Sequence, residues 1–164
     1  MPRCPHPVLV SALSLALAAP VNAQDSADTR AVVEAFGAAQ AAGDGSAMLA
    51  LMAEDVRWRL DGDPSVPWVG EHRGKYAVGS FLETLTSNVT IENAEVVALA
   101  VDGPNAFSAT TVSMIVGDCA VASNNVKRFE VRDGLIVVHN VYEDSWAVAA
   151  ALTAEDSEYP ETAR

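Results

Sequence analysis

The chain has 164 residues, a usual length for one domain, and its 22 Asp and Glu against 10 Lys and Arg leave a net charge of −12. That balance repels phosphate backbones and anionic lipid surfaces, which excludes nucleic acid and membrane surfaces as partners. The absence of a Cys/His cluster at ligand spacing, a glycine-rich phosphate loop or a G-x-S-x-G elbow removes the matching enzyme classes, so neither a metal nor an organic cofactor is expected.

In chain order, residues 1–23 have the layout of a secretory leader. Arg3 precedes an apolar run from Val8 to Ala19, Pro20 breaks it, and Val21-Asn22-Ala23 offers small or neutral residues at the cleavage positions. The run is shorter than the roughly 20 residues a bilayer span needs, and Cys4 lies before it rather than after it. Cleavage after Ala23, a periplasmic or secreted location and no membrane insertion thereafter are expected. Cys119 is then alone and forms no internal disulfide.

The mature domain is placed at residues 24–152. Val32, Ala35, Phe36 and Ala39 make one apolar helical stripe, ended by Gly43-Asp44-Gly45. A short second helix, capped by Asp44 or Ser46, puts Met48, Leu51 and Met52 on one face. Val56 to Leu60 alternates with period two, a strand with Val56, Trp58 and Leu60 facing inward and Arg57, Arg59 and Asp61 opposite. Asp61 to Arg73 reads as a long loop. A third helix from Gly74 carries Val78, Phe81, Leu82 and Leu85 on its buried side.

From Asn88 onward the pattern changes to strands. Asp102-Gly103, Gly117-Asp118 and Asp133-Gly134 separate four runs, which implies a four-stranded antiparallel meander. A short helix over Ser145 to Leu152 and an acidic flexible tail, residues 153–164, close the chain. Helices followed by a meander give an α+β class: three N-terminal helices on a strongly curved, mainly antiparallel sheet that encloses a pocket.

Several local patterns in this order resemble the SnoaL-like branch of the nuclear transport factor 2-like superfamily. They are Ala39-Gln40-Ala41-Ala42-Gly43-Asp44, Ala53-Glu54-Asp55-Val56-Arg57-Trp58 and Pro67-Trp68-Val69-Gly70-Glu71-His72-Arg73-Gly74, followed by Val131-Arg132-Asp133-Gly134-Leu135-Ile136 and Tyr142-Glu143-Asp144. The resemblance spans about residues 28–152. It implies a ketosteroid isomerase-like cone with an internal pocket, and a protein of a group that includes isomerases, epoxide hydrolases, polyketide cyclases and non-catalytic binders. It also implies that the His139–Val141–Glu143 face of the last strand lines that pocket. Where relatives carry their proton-moving residues, this chain has Leu60 and Val141, and neither can move a proton.

Histidine exchanges protons near neutral pH, which makes His139 the candidate general acid or base, with Asp61 as a substitute base if strand one is bulged. Glu143 lies about 13 Å from His139 at strand rise, too far to orient it. Trp58, Leu60, Trp68, Tyr76, Phe81, Val141 and Glu143 are the expected ligand-binding wall; His72 in the loop is assigned a surface role. Binding of a small apolar molecule is placed first. The alternatives are a hydrolase or isomerase using His139 on a polyketide-, steroid- or terpenoid-like substrate, and a homodimeric assembly module built on an exposed sheet face.

Overall fold

The computed structural model describes residues 21–154, so the leader up to residue 20 and the tail from residue 155 lie outside the described residues. Val21 to Ala23, assigned by sequence to the leader, open the first helix. The elements run α1 (Val21–Ala41), α2 (Gly45–Ala50), β1 (Met52–Asp61), β2 (Gly70–Arg73), α3 (Gly74–Asn88), β3 (Val89–Asp102), β4 (Asn105–Val116), β5 (Cys119–Arg132), β6 (Leu135–Glu143) and α4 (Trp146–Ala154).

On α1 the buried stripe is Thr29, Val33, Phe36 and Ala39, while Ala35 is exposed. The stripe is turned by about one residue from the expected one, because Phe36 anchors it among the sheet's rings. The Asp44 side chain accepts from the Ala47 N–H at 2.9 Å and starts α2. Met52 does not continue that helix. Leu51 ends it, its carbonyl accepts from the Ile136 N–H at 2.9 Å, and Met52 pairs with Ile136 as the first residue of β1. Tertiary pairing with β6 outcompetes one more helical turn.

The four-stranded meander forms as expected, with Asp133 and Gly134 both at positive φ, 51° and 75°, in the last reversal. Two strands extend it. β1 adds in parallel to β6, and β2, hidden in the expected loop, adds antiparallel to β1 through Trp58↔His72 and Leu60↔Gly70.

The expected cone is corrected here. The sheet is open, in the order β2-β1-β6-β5-β4-β3, and it does not curl round to close. Closure would require its two edges to meet. β2 offers only four residues, and β3, interrupted by pairing shifts after Ile91 and Val96, leaves Thr90 to Ala98 exposed to solvent. Short, charged or bulged edges are how an open sheet avoids further pairing. α1 packs over β3, β4 and β5, α3 over β1 and β2, and α4 over β5 and β4, while α2 packs on α1 and α3. This inner face holds the core.

One corner joins the strands' ends. The Ser145 hydroxyl, between β6 and α4, accepts from the Asp63 N–H at 2.7 Å. A methyl added at Gly62 would lie 2.7 Å from that oxygen and 3.2 Å from Val69 Cγ2. Gly62→Ala is expected to destabilise the domain by about 1–3 kcal/mol through overpacking. Urea denaturation of Gly62→Ala, Ser145→Gly and the double variant checks this, and the expected result is clear non-additivity. Additive costs would show that this contact is not the cause.

Candidate functional site

Parallel register brings the sequence candidates together. Trp58 pairs with His139 and Leu60 with Val141, all four side chains on the inner face and buried. The expected chamber between them is filled. His139 is stacked on Phe129 at 4.4 Å, edge-on to Trp58 at 4.2 Å and to Phe36 at 5.2 Å. Phe81 reaches Trp58 at 5.1 Å and His72 at 4.4 Å. His72 is therefore half-buried against the core, not a surface residue of a loop. Trp68 is buried as expected, its carbonyl 3.4 Å from His72 Nε2. Tyr76 stands in solvent, 90% exposed, and takes no part in the wall.

Asp61 faces outward. Its carboxylate accepts from Arg59 Nε at 2.6 Å, on the side of the sheet away from Trp58 and His139. His139 is fully enclosed, and both of its ring nitrogens lack a hydrogen-bond partner among the described residues. Burial, aided by the charge of Lys127, pushes its pKa well below the usual imidazole range. The ring is neutral at physiological pH and has no orienting carboxylate.

A second set of groups shares the inner face. Along β4 and β5, Ser108, Thr110, Ser123, Asn125 and Lys127 are all buried, between Ala106, Val112, Val121 and Phe129 of the same faces. Antiparallel pairing sets Ser108 beside Lys127, Thr110 beside Asn125, Lys127 beside Val141 and Asn125 beside Glu143. The Lys127 ammonium donates to Gln40 Oε1 of α1 at 2.9 Å, and Ser123 Oγ donates to Asn125 Oδ1 at 2.8 Å. Burial raises the Glu143 pKa, while hydrogen bonds from Asn125 and Ser123 and the Lys127 charge oppose that rise. Burial lowers Lys127 to about 8 against the pull of Glu143. Thr110 Oγ1 and Trp58 Nε1 join His139 as buried polar atoms without a partner among the described residues. Buried polar groups are nearly always satisfied, so such a concentration on one face marks a place built for something other than packing.

Of this patch the sequence reading found only Glu143. The signal was present: Ser123, Asn125 and Lys127 share one parity on a strand whose same-parity neighbours are Val121, Phe129 and Val131. On β6 that parity is displaced by a bulge, since Val131 pairs with Ile136 but Glu130 with Val138, which leaves Val137 without a partner in that pairing. Ile136 and His139 therefore both point inward.

The patch approaches the surface at Glu143. That residue also lines an open depression of about 560 Å³, bounded by Asp61, Gly62, Asp63 and Pro64 on one side and by Tyr142 to Trp146 on the other. Trp146 and Tyr142 are exposed there, at 78% and 46%. A separate depression of about 550 Å³ lies over Arg57, Arg73, Glu130 and Arg132 on the outer face. No group of three or more potential metal ligands occurs among the described residues.

Residues 33–139 match the SnoaL-like domain family. No functionally curated protein matches the chain. Among solved structures, an NTF2-like protein from Burkholderia xenovorans LB400 is 26% identical with a TM-score of 0.69, over 77% of this chain and 96% of that one. An LEH-like epoxide hydrolase from M. tuberculosis is 22% identical with a TM-score of 0.64, over 79% and 92%. An NTF2-like protein from Burkholderia thailandensis E264 is 19% identical with a TM-score of 0.68, over 76% and 96%. The likeness to the last two is one of fold.

The buried lysine makes stability depend on pH. Between about 8, its folded value, and 10.5, its ordinary value, the unfolded chain holds more protons at this position, so stability rises with pH. The full change corresponds to about 3 kcal/mol at most. Urea midpoints measured from pH 7 to 10.5 are expected to show that rise in the wild type and not in Lys127→Met. Parallel profiles would disprove the burial penalty.

Proposed function

The chain belongs to the SnoaL-like domain family, and on that premise we propose that it binds a small, mainly apolar molecule carrying a carbonyl or hydroxyl group. The ligand enters at the depression beside Trp146 and Tyr142 and directs its polar end past Glu143 toward Asn125, Ser123 and Lys127. The observation that carries this reading is the double membership of Glu143, which lines the open depression and belongs to the buried polar patch. A site of a few hundred Å³ with aromatic walls and a few convergent polar groups suits a ligand of steroid, terpenoid or polyketide size. The leader-like residues 1–23 support action outside the cytoplasm.

Binding is placed ahead of turnover on physical grounds. A general base needs a proton affinity near the working pH and a partner that orients it, and His139 has neither. Its ring serves as wall. Of the inner-face groups able to move a proton, Glu143 lines the depression and Lys127 is its diagonal neighbour, so a hydrolysis or isomerisation would run through this pair.

A second reading, self-association, is favoured by the outer face of the sheet. Ala98, Ala109, Val126 and Tyr142 form one cross-strand row there, with Phe107 beside it; Phe107, Val126 and Tyr142 are each about half exposed, at 47%, 48% and 46%. Contiguous exposed apolar groups of this kind mark contact surfaces. Light scattering of the purified protein is expected to show a dimer that Val126→Glu converts to monomer. A wild-type monomer at high concentration would end this reading.

For the ligand site, steroid, terpenoid and polyketide ketones are screened by native mass spectrometry and thermal shift. At least one is expected to bind saturably, with Glu143→Gln and Trp146→Ala each weakening it about tenfold. Binding that ignores both substitutions, or no binding across the three classes, removes the proposal.

A further inference from the structure

We propose that Lys127 is an amine nucleophile that captures small aldehydes or ketones as an imine, with the Glu143 carboxyl relaying the protons. This rests on the reading of the inner-face patch as the ligand site and names the chemistry of its ligand.

The choice of residue is the first observation. Of ten basic side chains in the chain, eight are arginine and only two, Lys75 and Lys127, are lysine. Lys75 pairs with Glu54 at 3.0 Å near the surface. Lys127 is 7% exposed, and its hydrogen bond goes to the neutral Gln40 amide. An arginine there would be charged at every physiological pH, whereas a buried lysine can give up its proton and become a nucleophile. Structural cations are seldom placed this deep without a direct carboxylate partner, because an unpaired buried charge is costly.

Position is the second. Lys127 lies opposite Val141 and Asn125 opposite Glu143, so Lys127 and Glu143 are diagonal neighbours on one face, with backbones about 7–8 Å apart. Long side chains span such a gap. Burial raises Glu143 and lowers Lys127, which narrows the gap in proton affinity between acid and amine and eases the proton exchange that imine formation needs. Around them, Phe129, Val141, Leu60 and Trp58 are buried on the same inner face, apolar surroundings that keep water from a C=N bond.

The step balances. The Lys127 lone pair attacks the carbonyl carbon, and the C=O π pair moves to oxygen, which takes the Glu143 proton. One N–H proton then returns to the Glu143 carboxylate, giving a neutral carbinolamine. Glu143 protonates its hydroxyl, the C–O bond breaks to release water, and the nitrogen lone pair closes the C=N bond. The products are a protonated imine at Lys127, one water and the Glu143 carboxylate. No oxidant, reductant or metal is required.

The test uses the full chain with hexanal and cyanoborohydride at pH 8, followed by peptide mass spectrometry. Reductive alkylation of Lys127 is expected to outpace that of Lys75, despite the greater exposure of Lys75. Glu143→Gln is expected to slow Lys127 labelling about a hundredfold, as loss of a general acid does, while leaving Lys75 unchanged. Labelling confined to Lys75 and the chain terminus, or a Lys127 rate indifferent to Glu143→Gln, overturns the proposal. Saturable hexanal binding by native mass spectrometry with no Lys127 adduct would overturn the covalent step alone and leave the ligand site standing. No binding and no adduct would count against both.

Discussion

The parallel pairing of β1 with β6 is the constraint on which the rest of the structure depends. It joins strands from opposite ends of the domain, a contact whose loop-closure entropy must be offset by what it buries. The offset is visible at the inward-facing rungs: Met52 against Ile136, Trp58 against His139, Leu60 against Val141, with five of these six side chains apolar and all of them buried. The pairing fixes where α2 stops, sets β2 at the sheet edge, and aims Trp58 at the imidazole of His139. A register slip of one residue would turn Arg57 and Arg59 into the core.

That seam divides the inner face into two regions of opposite character. On the β1 side Trp58 meets Phe81 at a tilt, and across the seam His139 meets Trp58 edge to face and stacks on Phe129, which Phe36 meets edge to face, arrangements their quadrupoles favour. His139 behaves there as one more ring. On the β4–β5 side the same face carries hydroxyls, an amide and an ammonium where an ordinary sheet would carry Val or Ile. Removing these groups from water is unfavourable unless each finds a partner, and the Thr110 hydroxyl has none among the described residues. Stability alone would not select such a face. The proposed small-molecule recognition would account for it, because polar groups already desolvated by the fold discriminate strongly between ligands that can and cannot bond to them.

The open sheet has a functional consequence. A closed cone would bury the polar patch behind a single mouth, whereas here an open depression reaches Glu143 at the corner where the ends of β1 and β6 meet α4. Ser145 fastens that corner through its bond to the Asp63 N–H. Glu143 stands two residues before Ser145, so geometry that holds the corner also holds the outermost group of the proposed site. The outer face carries a separate set of interactions, including the Arg59–Asp61 pair at 2.6 Å. Exposed pairs like this one contribute little to stability and leave the face free for other contacts.

The amino-acid pattern by itself determined the α+β class, the meander, its three reversals, and the inward pair Trp58 and Leu60, because period-two and period-3.6 spacing are local; on the last strand both faces are mixed, and only the family resemblance pointed to His139 and Val141. It did not reveal β2, whose four residues hold their strand only through pairing with β1, nor that Met52 leaves a helix for a strand. It assigned Asp61 and Tyr76 to the site, although one is tied to Arg59 outside the sheet and the other stands in solvent. Only the tertiary structure decided that the sheet stays open, since closure depends on two distant edges and no local spacing encodes their meeting. The same holds for the partnership of Lys127 with Gln40 and Glu143. Three elements contribute one side chain each, and their proximity exists only once the strands are in register.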